Sequence, residues 1–235
     1  MDKANHKPIT FAQFTGSEGA RSRYWARSSI GWPRMKNAKP NAGHIALARM
    51  ESIGVFGTIT QNVDGLHGEA GSTRVIELHG SLDAVTCLAC HGEESREVYQ
   101  SRIFEENPGW DIRVGSIAPD GDAPIPDELV ETFHVPVCTV CGGVQKPDIV
   151  FFGESVPSGR VMNAWSWLDS ADVLLVAGSS LTVYSGYRFV RKAAQVGTPI
   201  AIVNRGVTRG DDLATVRIEG ATGDVLPRLA ELLGC

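Results

Sequence analysis

Four of the five cysteines constrain this chain more than any other feature. They form two pairs, Cys87-Leu88-Ala89-Cys90 and Cys138-Thr139-Val140-Cys141, with 47 residues between them. Tetrahedral zinc takes four soft ligands, and a Cys-x-x-Cys spacing lets one tight loop supply two thiolates without strain. Disulfides and a redox dithiol are the alternatives; two pairs in a chain with no secretory pattern favour a structural metal. With Cys87, Cys90, Cys138 and Cys141 all bound, no coordination position stays open for substrate, so such a metal braces the fold. Cys235, the last residue, reads as an incidental exposed thiol. Between Ser81 and about Lys146 the sequence therefore predicts a small metal-pinned module, with a mobile excursion near Asn107 to Pro126.

The flanking sequence alternates in kind. A helix is expected from Asn41, capped by that asparagine and ended by Gly54, then a strand from Val55 to Thr60 and an extended segment from Arg74 to Leu78. Beyond the cysteines come an extended run from Asp148 to Gly153, a helix over 160–169, and a strand from Asp172 to Ala177. A helix from Ser185 to Val196, strands from Pro199 to Val203 and Thr215 to Ile218, and a helix from Asp224 to Leu233 complete the pattern. Pro227 is placed in the first turn of that last helix, where it is tolerated. Residues 1 to about 39 read only as polar and aromatic by turns. Apolar strands alternating with helices specify an α/β fold: a Rossmann-like, mostly parallel sheet, here with a small inserted zinc-binding module. The expected division is 1–80 and 148–235 for the sheet domain and 81–147 for the module.

Composition sets mild bounds. A hydrophobic fraction of 43% and 12 prolines over 235 residues suit a folded chain with a substantial core. The net charge of -5 supplies no field that would gather nucleic acid, and no run approaches a membrane span. The opening Met-Asp-Lys-Ala-Asn-His-Lys-Pro has neither secretory nor organelle-targeting character, so a cytoplasmic location is expected.

Parallel sheets bind ligands at the carboxyl ends of their strands, and the polar turns fall there. Gly178-Ser179-Ser180 follows one apolar strand; its glycine permits close backbone approach, and its hydroxyls and amides can meet phosphate or ribose. Asn204 ends another strand and suits either a nucleoside edge or a structural Asx-turn. Asn62 and Asp64 lie in a turn after a third, where backbone capping is the competing role. His79, between Leu78 and Gly80, suits proton abstraction from a sugar hydroxyl near neutral pH. His67 is the rival base, and periodicity does not choose between them.

Taken in order, several motifs carry a resemblance. These are Gln61-Asn62-Val63-Asp64-Gly65-Leu66-His67, Glu77-Leu78-His79-Gly80, the cysteine pairs, Lys146-Pro147-Asp148-Ile149-Val150-Phe151-Phe152-Gly153-Glu154, and Gly178-Ser179-Ser180. From roughly Arg21 onward the chain resembles the sirtuins, NAD-dependent protein-lysine deacylases. Arg23-Tyr24-Trp25-Ala26-Arg27, Gly31-Trp32-Pro33, Val183-Tyr184-Ser185-Gly186-Tyr187 and Pro199-Ile200-Ala201-Ile202-Val203-Asn204 look specifically like the class II branch. The resemblance implies that His79 is the base, that Asn62 orients the nicotinamide-side ribose and a water, and that Gln61 and Asp64 hold the nicotinamide end. It further implies Gly178, Ser179 and Ser180 at the phosphates and adenosine-side ribose, Asn204 at the adenosine end, and Gly223 and Asp224 at the adenine. Val150, Phe151, Phe152 and Gly153 would form the acyl-lysine tunnel, with one phenylalanine packed in the core and the substrate peptide added as a strand.

The family pattern also includes an initial strand, a Gly-Ala-Gly-x-Ser loop and a Pro-Asp-Phe/Tyr-Arg segment, and none of these occurs before Arg21. The expectation is a sheet lacking its first strand, with unpaired edges and weakened NAD binding. The activity implied is removal of acetyl or longer acyl groups from protein lysines, yielding nicotinamide and O-acyl-ADP-ribose. A noncatalytic, zinc-braced peptide- or partner-binding protein and a protein ADP-ribosyltransferase are the competing readings.

Overall fold

The computed structural model describes residues 8–110 and 125–235, so the expected excursion near Asn107 to Pro126 lies mostly outside the described residues, as do residues 1–7. The described residues cluster into two compact units. One runs through Ala38 and again from Gly80 to Ser155; the other comprises Lys39–His79 and Val156–Cys235.

The first unit is built on aromatic packing. Helix α1 (Phe11–Gly16) starts in a capping box in which the Thr10 hydroxyl accepts the Gln13 N–H. Ser17 caps the 19-residue α2 (Glu18–Lys36), the helix that the sequence reading leaves undefined. Its inward side carries Ser22, Trp25, Ala26, Ser29 and Trp32, a helical spacing in which two tryptophans alternate with small residues. Strands β3 (Gly80–Cys87), β4 (Glu93–Ser95) and β5 (Gln145–Ile149) form an antiparallel sheet in the order β4-β3-β5. Helix α5 (Arg96–Glu106) follows β4, and the short α6 (Asp127–Glu131) precedes β5.

Trp25, Tyr99, Phe14 and Phe151 are among the buried side chains of this core. The polar ends of two rings are satisfied: Trp25 Nε1 donates to the Gln145 carbonyl at 3.2 Å, and the Tyr99 hydroxyl to that of Pro136 at 2.8 Å. Arg96 is 1% exposed, with its guanidinium 4.8 Å from the Trp32 ring, and burial lowers its pKa to about 10. The expected extended run from Asp148 is displaced: β5 begins at Gln145 and ends at Ile149, and Phe152 then makes an isolated parallel bridge to Thr10. Pairing with β3 decides that register, since Cys87 lies opposite Gln145.

The second unit contains the parallel strands. Asn41 caps α3 (Ala42–Met50), and Gly54, at φ +126°, closes the 3-10 turn that follows. Strand β1 (Thr58–Thr60) pairs with β2 (Val75–Glu77), with the short α4 (Leu66–Glu69) between them. Strand β6 (Leu174–Ala177) pairs with β7 (Ile200–Asn204), and β7 with β8 (Val216–Glu219); all these pairings are parallel. Among the described residues β1, β2, β6 and β8 are each paired on one side only.

Helices α7 (Ser158–Asp169) and α8 (Tyr184–Val196) place Leu168 and Phe189 in one core cluster with Leu78, Val176 and Ile202. Helix α9 (Thr222–Leu232) packs Leu226 and Ala230 against Ala46 and Met50 of α3. Because α9 starts two residues before the expected Asp224, Pro227 falls in its second turn. No helix among the described residues is long and apolar enough to cross a membrane.

Candidate active site and metal centre

The carboxyl ends of β1, β2 and β6 bring Gln61, His79 and Ser179 together with Ser185 from the first turn of α8. His79 Nδ1 lies 3.1 Å from the Gln61 backbone carbonyl, and Nε2 lies 2.7 Å from Ser185 Oγ. A carbonyl only accepts, so Nδ1 carries the hydrogen of the neutral ring and Nε2 presents the lone pair. Burial, first, holds His79 below its ordinary value of 6.5; the Gln61 hydrogen bond raises it, and the positive charge of Arg188 lowers it further. The imidazole is therefore neutral and basic at physiological pH.

The Gln61 side chain closes the network. Ser179 Oγ donates to its Oε1 at 3.3 Å, while its Nε2 donates to Ser185 Oγ at 3.3 Å. Gly186 makes room for this amide: a Cβ there would lie 2.6 Å from Gln61 Oε1. Ser185 and Gly186 stand in the Tyr-Ser-Gly-Tyr phrase noted above for its resemblance, but sequence reasoning gave neither a role. The available signal was a serine at a helix start that does not cap it: α8 begins at Tyr184, after the N-cap position Val183, with no side-chain cap.

The other expected residues are distributed as follows. Asn62 is exposed, with Nδ2 3.4 Å from Asp64 Oδ2, and Asp64 Oδ1 accepts the Leu66 N–H at 3.1 Å, so this carboxylate also shapes the turn into α4. Gly178 turns the chain at φ +65°, and a Cβ there would lie 3.2 Å from Thr222 Cγ2. Ser180 Oγ pairs with Thr182 Oγ1 at 3.0 Å. Asn204 is buried at the end of β7 and donates Nδ2 to the carbonyls of Arg205 and Gly206, the Asx role allowed for it. Gly223 and Asp224 lie in the first turn of α9, with Asp224 exposed. His67, the rival base, packs edge-on to His44 with centroids 4.7 Å apart, and its Nδ1 is buried without a partner among the described residues.

In the other unit, Phe151 packs on Phe14 and Tyr24, whereas Phe152 is 56% exposed. Gly153 takes φ +80°, and Val150 is half-buried. Glu154 pins this turn by accepting the Phe151 N–H at 2.8 Å and pairing with Lys146 Nζ at 3.2 Å.

The cysteine sulfurs all lie within 4.8 Å of one another. Cys87 Sγ is 3.5 Å from Cys141 Sγ, and Cys90 Sγ is 3.7 Å from Cys138 Sγ. A disulfide needs about 2.05 Å, whereas tetrahedral bonds of about 2.3 Å to zinc separate sulfurs by about 3.8 Å. The donor set fits zinc. N–H groups of Cys90 and Ala89 draw the Cys87 thiol down to about 6, towards the thiolate a metal requires. Gly143 is confined beside the cluster, since a Cβ would lie 2.8 Å from Cys87 Sγ.

Residues 2–185 match the model of the Sir2 family. The chain belongs to that family. It is 51% identical over 232 residues to NAD-dependent protein deacetylase 1 of Streptomyces coelicolor, covering 98% of this chain and 78% of that one. It is 47% identical over 228 residues to the Drosophila melanogaster NAD-dependent protein deacylase Sirt4, covering 97% and 73%. A solved structure of Sir2 with a p53 peptide and NAD+ superposes with a TM-score of 0.78 at 28% identity, over 100% of this sirtuin and 85% of that chain. Another, Sir2Tm with a propionylated peptide, gives 0.76 at 30% identity, over 96% and 83%.

Proposed function

We infer that this sirtuin removes acyl groups from protein lysines at the expense of NAD. The observation that carries this reading is the neutral His79, its Nε2 lone pair held at the carboxyl end of a parallel sheet in a chain of this family. Alignment over 98% and 97% of the chain with relatives named NAD-dependent protein deacetylase and deacylase favours turnover over a purely binding role.

In this reading Gln61, Asn62 and Asp64 hold the nicotinamide end of NAD. Gly178, Ser179 and Ser180 meet its phosphates and adenosine-side ribose, and Asn204, Gly223 and Asp224 its adenosine end. The acyl oxygen of the substrate lysine attacks the anomeric carbon as the bond to nicotinamide breaks. His79 takes the proton of a ribose hydroxyl, whose oxygen then attacks the imidate carbon. Water completes the release of free lysine and O-acyl-ADP-ribose. Holding both reactants in place is the larger part of such catalysis, and the neutral histidine supplies the base. Cys87, Cys90, Cys138 and Cys141 would hold a zinc ion that braces residues 81–147 and, with no open coordination position, would take no part in the chemistry.

The turn Val150 to Gly153 is proposed to take the acyl-lysine segment, with the exposed Phe152 as its apolar contact and the peptide running as an added strand. Acetyl-lysine is the first substrate to test, and longer acyl groups the next. Four metal-binding thiolates suit a reducing compartment such as the cytoplasm.

The test is nicotinamide release by the purified chain given NAD and a panel of acyl-lysine peptides. Sustained peptide-dependent release accompanied by O-acyl-ADP-ribose, both lost in His79→Ala, supports the reading. Nicotinamide release that leaves ADP-ribose covalently on protein would replace it with ADP-ribosyl transfer, and no release from zinc-loaded protein would replace it with a binding role.

A further inference from the structure

We propose that Ser185 is a catalytic residue of this site, passing the proton of the ribose hydroxyl to His79. The inference rests on the deacylase reading above and extends it to a residue of α8. Every hydrogen in the network has one consistent place. Ser179 Oγ donates to Gln61 Oε1, so the amide nitrogen of Gln61 faces Ser185 and donates to its oxygen. Ser185 cannot donate back to that nitrogen. Its hydrogen points instead to His79 Nε2, 2.7 Å away, which is unprotonated because Nδ1–H is spent on the Gln61 carbonyl.

A serine oxygen accepts two hydrogen bonds, and Gln61 uses one of them. The second acceptor direction is the place for a substrate hydroxyl. An imidazole lone pair accepts a single hydrogen bond, so a hydroxyl seeking Nε2 meets Ser185 there first.

The transfer balances. The ribose O–H bond breaks and a new O–H bond forms at Ser185 Oγ. The original Ser185 O–H bond breaks, and its proton forms the Nε2–H bond of His79. The ribose oxygen gains the negative charge that its attack requires. The imidazolium carries the positive charge, with Nδ1–H still on the Gln61 carbonyl. Ser185 ends as it began, a neutral hydroxyl.

The experiment measures single-turnover formation of O-acyl-ADP-ribose, the product made after the ribose proton has moved, with NAD and an acetyl-lysine peptide, across mixtures of light and heavy water. Wild-type protein, Ser185→Ala, Ser185→Thr and His79→Ala are compared. Two protons moving together bow the plot of rate against deuterium fraction, whereas one gives a straight line. The expected results are a bowed plot for wild type, a rate about 10- to 100-fold lower and a straight line for Ser185→Ala, and recovery of most of the rate and the curvature in Ser185→Thr. Imidazole nitrogen NMR should show His79 still protonated on Nδ1 in Ser185→Ala. A straight line for wild type, or an undiminished rate in Ser185→Ala, would overturn the relay and leave the deacylase reading standing. Loss of the Nδ1–H form in Ser185→Ala would also overturn it, leaving Ser185 as a group that only holds the ring. A wild type that is silent with every peptide would overturn both.

Discussion

The Gln61 carbonyl meets His79 Nδ1 at 3.1 Å, and this single contact decides which nitrogen of the ring is the base. It also bears on pH dependence. Burial and Arg188 hold the imidazole pKa below 6.5, and the active form is the neutral one. The rate with subsaturating NAD should therefore be flat above neutrality and fall only as pH drops through a value below 6.5. Removing the positive charge with Arg188→Met lets the pKa rise, so the acid limb should move to higher pH. A limb that stays in place or moves lower in Arg188→Met, in a pH–rate profile of kcat/KM, would contradict the assignment of His79 as base.

The metal centre makes a separate prediction. Purified protein should contain one zinc per chain by elemental analysis. Gly143→Ala forces a methyl to within 2.8 Å of Cys87 Sγ, against a backbone fixed by the Cys138 N–H to Gly143 carbonyl bond of 2.9 Å. This variant and Cys138→Ser should both hold well under one equivalent. Zinc binding is folding free energy for such a module, so its loss should cost at least about 3 kcal/mol, or roughly 6–12 °C in Tm for a chain of this size. Zinc content at the wild-type level in Gly143→Ala would show that the knuckle can yield.

How far the sequence revealed all this depends on where each signal resides. The cysteine spacing and the strand–turn alternation are local, and the four sulfurs and parallel strands of the structure follow them. Helix α2 was not legible because its inward face pairs Trp25 and Trp32 with Ser22, Ala26 and Ser29, a stripe that hydropathy does not register. His79, Asn62 and Asp64 were legible as candidates, because short polar residues interrupt apolar runs there. Ser185 was not, because its partners Gln61 and His79 are 124 and 106 residues away in sequence. No periodicity reports a contact of that kind.

Lys146 and Glu154 should prove to be a structural pair. Their side chains are 9% and 20% exposed, the ammonium also reaches the carbonyls of Pro147 and Ile149, and the carboxylate anchors Phe151. Removing one member leaves a largely buried charge alone. Lys146→Met should cost about 2–4 kcal/mol, and the double variant Lys146→Met/Glu154→Gln less than the single one. Urea unfolding would check this. A double variant less stable than Lys146→Met would mean that the pairing is not what the turn depends on.

Gly186 separates activity from stability. An alanine Cβ at 2.6 Å from Gln61 Oε1 collides with the far end of a flexible side chain, which can swing away at little cost to the fold. Unfolding free energy in Gly186→Ala should therefore change by less than about 1 kcal/mol, and an alanine in α8 is itself a better helix former than glycine. The displaced amide no longer donates to Ser185 or accepts from Ser179, so the hydroxyl facing His79 loses its orientation. The rate of O-acyl-ADP-ribose formation should fall about tenfold, since positioning errors of this order are felt directly in the chemical step. Gly186→Ala that is both stable and fully active would show that Gln61 does not orient Ser185. A large loss of stability would place the role of Gly186 in helix packing instead.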